Sequence, residues 1–134
     1  MADWQFEFDW LQTRHYVKDH LGMDSLPDLN GILLMIGVQE LGRWKKSFTK
    51  EEKQDLMHIA VCRLLESKGI FAFKGRDQDG WPHYEQKKAI SRQGVEEQEQ
   101  LLKELVVLYF QDLETEHKSI LQNLHNTSQH DEEE

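Results

Sequence analysis

Residues 29–41 read Leu-Asn-Gly-Ile-Leu-Leu-Met-Ile-Gly-Val-Gln-Glu-Leu, and no other stretch restricts the fold as much. A helix with one wet face shows polar residues every three or four positions, and 32–36 offers none, so this helix is expected to be buried on most sides. It is too short to cross a bilayer, which takes about 20 apolar residues. The run is therefore read as the central helix of a core, with the other elements packed around it and no membrane contact. Ser25 is placed to cap it, with Asp28 returning the bond and Pro27 in the first turn, where its missing N–H costs nothing. Gly42 follows as the stop signal. Gly31 and Gly37 lie inside this helix, which implies the close approach of a neighbouring element.

The rest of the chain follows from periodicity and breakers. In 4–21 the alternation Trp4, Phe6, Phe8, Trp10 suits a short strand at 4–8. Phe6, Trp10, Tyr16 or Val17, and Leu21 suit one helix ending at Gly22, and the helix is preferred because no Gly or Pro interrupts it. Thr49-Lys50-Glu51-Glu52 is a capping box that opens a helix over about 50–67, with Met57, Ala60, Val61, Leu64 and Leu65 as its buried stripe and Leu56 at the edge. Asp79-Gly80 between two runs containing aromatics predicts a hairpin over about 70–87. With a two-residue turn, Lys74 faces Glu85 and Arg76 faces His83, and Pro82 requires an edge position. A last helix is predicted over 95–124. Its apolar face includes Leu102, Leu105, Val106, Tyr109, Phe110 and Leu113, widened by Val107 and Leu108 beyond what one small domain is expected to cover. The expected architecture is mainly α: about four helices around a central apolar helix, with one antiparallel β-hairpin. Residues 1–125 are read as one domain and 126–134 as a disordered acidic tail.

Charge is unevenly distributed. Residues 1–42 hold 2 basic and 7 acidic side chains, 43–92 hold 12 and 7, and 93–134 hold 2 and 11, within a net charge of −9. A basic middle third between acidic flanks is a partner signal. It suits either an anion such as nucleic acid or an acidic C-terminal part, the chain's own or that of a second copy, and the second is preferred because the chain as a whole would repel a polyanion. The single cysteine, Cys62, excludes an intrachain disulfide and a cysteine-rich zinc site. The opening residues lack a basic segment followed by an apolar one, so a reducing, cytoplasmic setting is expected.

Motifs for specific chemistry mostly fail. Asp77-x-Asp79-Gly80 falls short of a calcium loop, because Gly75 and Gln86 stand where carboxylates are needed. Asp55-x-x-His58 and Glu114-x-x-His117 have the spacing of di-metal bundles, but in a chain order that does not match them. Cys62 has no evident activating group, and no nucleophile elbow, phosphate loop or dinucleotide fingerprint occurs. His83 beside Asp77 and Asp79 is the one acid–base cluster, and its simpler reading is a hairpin-tip histidine bonded to its neighbours. No metal or cofactor is expected.

The order of three helices, a hairpin and a long helix, with Leu65-Glu66-Ser67-Lys68-Gly69-Ile70 leading into Arg76-Asp77-Gln78-Asp79-Gly80, resembles the winged-helix layout, the resemblance covering residues 27–90. The resemblance implies that helix 50–67 reads a major groove and that Lys74, Arg76, Lys87 and Lys88 meet phosphates. The chain departs from that layout in its apolar second helix, in the long 42–49 connection, and in Glu51, Glu52, Asp55 and Glu66 on the would-be reading helix. The preferred expectation is a non-enzymatic protein-interaction module that self-associates through helix 95–124 or binds another protein, with nucleic-acid binding as the alternative. The candidate binding surface comprises Arg43, Trp44, Lys45, Lys46, Arg76, Trp81 and His83, because aromatic and Arg anchors dominate recognition surfaces.

Overall fold

A computed structural model describes residues 3–90 and 94–132, with side chains described for 4–90 and 94–116. Four helices and one hairpin follow in the order α1 (Asp3–Leu21), α2 (Leu29–Leu41), α3 (Lys50–Glu66), β1 (Phe71–Arg76), β2 (Pro82–Gln86) and α4 (Val95–Glu132). The fold is mainly helical with one two-stranded antiparallel hairpin, as the sequence implies. The alternating aromatics at 4–8 lie within α1, and Gly22 follows it in the left-handed region at φ 63°.

α2 begins later than its expected cap. Asp28, not Ser25, is the N-cap: its carboxylate accepts from Gly31 N at 2.9 Å. Pro27 biases the residue before it away from helical angles, so the helix starts after the proline. Gly42 closes α2 at φ 77° and donates to Val38 O at 3.1 Å. Ile32 and Ile36 are wholly enclosed, but Leu34, Met35 and Val38 are only half-buried. The helix with the most neighbours is α3, which packs on α2, α4 and both strands.

The α2–α3 contact explains one of the two helical glycines. A Cβ at Gly37 would collide with the carbonyl oxygen of Leu56, so this position has to be Gly for the helices to close. Gly31 meets only Asp28 and Pro27 of its own cap, so the expected neighbour is absent there. Leu56, expected at the edge of α3, lies at this crossing with none of its surface exposed, whereas Met57 and Val61 are only partly buried. The stripe is rotated because α3 is covered on more than one side, including by the strands, which the isolated helical period cannot register. The Thr49 capping box forms as read, with Glu52 N donating to Thr49 Oγ1 at 3.1 Å and Thr49 N to Glu52 Oε1 at 2.9 Å.

α4 completes the core with Leu101, Leu105, Val106, Val107 and Tyr109, packed on α1 and α3. Its wide apolar band is thus covered by its own chain, and over 101–110 only Leu108 stands exposed. α1 and α3 reach α4 from two sides, which is why a band broader than one stripe finds cover. Residues 117–124 of the expected self-association helix fall outside the described side chains. The helix runs to Glu132, past the expected end at 124, with no Gly or Pro to stop it. Of the expected acidic tail, 133–134 lie outside the described residues.

A polar strut ties three helices together. Tyr109 donates its hydroxyl to Glu40 Oε2 at 2.7 Å, Arg63 Nε lies 3.4 Å from Glu40 Oε1, and the Arg63 guanidinium sits 5.4 Å from the Tyr109 ring centre. Burial and the Glu40 carboxylate push the Tyr109 hydroxyl well above its ordinary pKa.

Candidate functional site

The hairpin turns differently from the two-residue Asp79-Gly80 expectation. Its register pairs Phe73 with Tyr84 but Gly75 with His83 and Arg76 with Pro82, with a bulge between Phe73 and Gly75. Gly75, at φ 121°, takes the backbone conformation that the bulge needs. Lys74 reaches Glu85 as expected, at 3.9 Å, although the Cα partner of Glu85 is Ala72. Arg76 therefore does not face His83.

Asp77 shapes the tip instead. Its Oδ1 accepts from Asp79 N at 2.9 Å and Trp81 N at 3.0 Å, while Oδ2 lies 2.9 Å from His83 Nε2. Gly80 N bonds to Asp77 O, and Asp77 N to Trp81 O, each at 3.0 Å, so the turn spans Asp77 to Gly80 with Gly80 in the left-handed region. An aspartate that caps its own turn is ordinary turn chemistry. The His83 hydrogen bond, then the backbone bond from Trp81, holds the Asp77 carboxyl below the usual carboxylate range.

Two arginines fasten this tip to α2. Arg76 Nη2 donates to Glu40 O at 2.7 Å, and its Nη1 to Leu41 O at 3.0 Å and Gly80 O at 2.8 Å. Arg43 Nη2 donates to Asp79 O at 2.8 Å. The last carbonyls of a helix lack intrahelical donors, and a cation there also suits the negative helix end. Both arginines are thus engaged within the chain. Lys45 is paired with Glu52 at 2.8 Å, and Lys87 with Glu85 at 3.1 Å. Of the cations the winged-helix resemblance assigns to phosphates, Lys74, Arg76 and Lys87 meet carboxylates or carbonyls here. The would-be reading helix α3 packs on α2, α4 and both strands.

Trp81 and His83 border a cavity of about 270 Å³ that α3 closes with Asp55, His58 and Cys62. Cys62 Sγ lies 3.5 Å from His58 Nε2, one helical turn away. This pair was legible as His58-x-x-x-Cys62, a spacing that puts both side chains on one helix face. It is not an activated nucleophile: burial pushes the thiol up to about 11, so it is protonated at neutral pH. Tyr84, on the same wall, is pushed up to about 12, chiefly by burial. Among the described residues no three His, Cys, Asp or Glu side chains are placed to hold one metal ion. The Glu114-x-x-His117 pair includes a side chain outside those described.

Trp44 stands apart from Trp81 and His83. It is 74% exposed and lies beside an apolar groove of about 230 Å³ between α1, α2 and α4, lined by Leu21, Met35, Val38 and Phe110 among others. Lys46 is exposed on the same connection. The candidate surface therefore divides into the hairpin tip with Arg43, the Lys45–Glu52 pair, and the Trp44 groove.

The outer face of α1 was not among the candidates. Trp4, Phe8 and Leu11 are 74%, 51% and 44% exposed, while Trp10, Thr13 and Val17 of the same helix are buried. Their spacing of four and three residues puts them on one helix face. That signal was visible in the sequence but merged with the strand-like alternation of Trp4, Phe6, Phe8 and Trp10.

No family model matches the chain, and neither a curated protein nor a solved structure matches it. No helix among the described residues is long and apolar enough to cross a membrane.

Proposed function

We propose that this chain is a non-enzymatic protein-interaction module that associates with a second copy of itself through apolar surface outside its core. The observation that carries the reading is the second apolar stripe of α1, formed by Trp4, Phe8 and Leu11 in solvent opposite the buried one. A soluble helix with apolar residues on opposite faces has one face more than its own domain covers. Scattered exposed apolar residues are ordinary on any surface, but a contiguous stripe headed by Trp and Phe marks an interaction site.

The polar cavity under the hairpin gives enzymatic chemistry less support. Its thiol is protonated, and its His83–Asp77 pair is engaged in holding a turn. Of the four cations that the winged-helix layout would set against phosphates, Lys74, Arg76 and Lys87 are engaged with carboxylates or carbonyls of the same chain. A cytoplasmic setting fits the single buried thiol.

Sedimentation at micromolar and higher concentration tests the reading. A concentration-dependent shift from monomer to dimer is expected. A clean monomer with an intact fold at every concentration overturns it.

A further inference from the structure

We infer that the outer face of α1 is the seam between two copies of this chain, which lie antiparallel along it. The inference rests on the self-association reading and adds the surface, the partner and the orientation. Three observations lead to it.

The first is the geometry of α1. At about 100° per residue, Trp4, Phe8 and Leu11 fall roughly opposite Phe6, Trp10, Thr13 and Val17, the positions packed on the core. The stripe runs along two helical turns with His15 continuing it, and all four residues are exposed. A straight stripe of this kind fits another helix better than a pocket.

The second is charge. Residues 3–9 carry three carboxylates and no cation, while 14–20 carry Arg14, Lys18 and two histidines against Asp19. Laid antiparallel, the acidic half of one copy meets the basic half of the other. The same helical wheel puts Glu7, Arg14 and Lys18 on one flank of the stripe. In an antiparallel pair equal flanks face each other, so Glu7 of each copy meets Arg14 of the other, twice by symmetry. Arg14 is held in place by its Nε bond to Pro27 O at 2.7 Å.

The third is closure. A second copy meeting the same patch by a two-fold axis completes the contact and leaves no unpaired copy of the stripe, which is the commonest way for identical chains to associate. Two turns of a helix pair sit at the small end of specific interfaces, below roughly 1,200 Å² in total, so the dimer is expected to be weak and to form at tens of micromolar or above.

The test uses the full chain. Sedimentation equilibrium from about 10 to about 500 µM brackets an interface of that size. The double variant Trp4→Glu, Phe8→Glu is expected to remain monomeric throughout, at least tenfold weaker than the parent, with an unchanged thermal melt at low concentration. Leu108→Glu, which alters an exposed apolar residue of α4, is expected to dimerise like the parent. If the parent dimerises and the double variant does so equally well, the seam lies elsewhere and this inference is wrong while the self-association reading stands. A monomeric parent overturns both. Orientation is read from a mixture of Gln5→Cys and Asp19→Cys chains treated with a short bis-maleimide, both positions being exposed on one flank of the stripe and Cys62 being buried. Cross-links joining one chain of each kind are expected in excess. An excess of links between identical variants overturns the antiparallel arrangement.

Discussion

The hairpin tip and the outer face of α1 both put aromatic residues in or near solvent, but their bonding capacity is used differently. At the tip, Arg76 gives donors to three carbonyls, Arg43 to a fourth, and Asp77 takes two backbone N–H groups and His83. On α1, Trp4, Phe8 and Leu11 offer mainly apolar area, and it faces outward. A dense group of Arg, Trp, His and Asp resembles a binding surface in a sequence because such residues bond well. The same capacity lets them hold a turn to a helix. An apolar stripe that its own fold leaves in water has no such internal use.

If the two regions differ in this way, substitutions should sort between folding and association. The largest effect on folding is expected at the crossing beneath the hairpin side of the molecule. Gly37→Ala drives a methyl into the Leu56 carbonyl of a rigid neighbouring helix, at a cost of about 3 kcal/mol or more, the upper end for overpacking. Urea unfolding would show it as a lower midpoint, and an unchanged midpoint would mean that α2 and α3 do not approach as closely as described. Next comes Arg76→Ala, which strips donors from Glu40, Leu41 and Gly80 carbonyls. Its charge-assisted bonds are solvent-accessible, so a loss of about 2 kcal/mol is expected. A midpoint unchanged by this variant, together with loss of an interaction, would return the tip to the class of binding surfaces and break the comparison.

Much of the fold was legible because its signals are local. The capping box at Thr49, Gly22 and Gly42 after their helices, and the hairpin announced by Asp-Gly each depend on a few adjacent residues. The site was less legible because its meaning depends on partners far along the chain. Nothing near Arg76 indicates that the end of α2, at Glu40 and Leu41, will lie within its reach. Nothing near Val107 indicates that α1 and α3 will cover both sides of α4. The turn was misread by its length, since Asp79-Gly80 is the usual two-residue signal while Asp77, two positions earlier, captures the loop with its carboxylate. The α1 stripe was present in the sequence, but Trp4, Phe6, Phe8 and Trp10 alternate too, and only the helix separates 4 and 8 from 6 and 10.

A smaller effect is expected from pH. Asp77 is held below the usual carboxylate range in the folded chain, so it contributes stability above the unfolded value of about 4, and that contribution is lost as pH falls through the lowered folded value. Asp77→Asn removes the charge at every pH. The difference in urea midpoint between the parent and this variant should therefore hold steady near about pH 6 and shrink on going to about pH 3. A gap that stays constant over that interval would mean that the His83 contact and the turn bonds do not favour the ionised carboxylate.

The smallest effect on folding is expected where the effect on association should be greatest. Trp4 touches little of its own chain, so Trp4→Ala should shift the unfolding free energy of the monomer by no more than about 0.5 kcal/mol, the range for surface substitutions away from caps and cores. Trp10→Ala, on the opposite face of the same helix, should cost about 3 kcal/mol or more as a buried aromatic. The pair differs by six positions and one helix face, with residue type held constant, so it isolates burial from composition. Unfolding has to be measured well below the concentration at which copies associate, because a bound partner stabilises the folded state by mass action. Repeating the measurement at high concentration should then raise the stability of the parent and not that of Trp4→Ala. Equal costs for the two tryptophans at low concentration would mean that the N-terminal turns of α1 are held by contacts on both faces within one chain. The contrast between an internally satisfied tip and an outward apolar stripe would then fail.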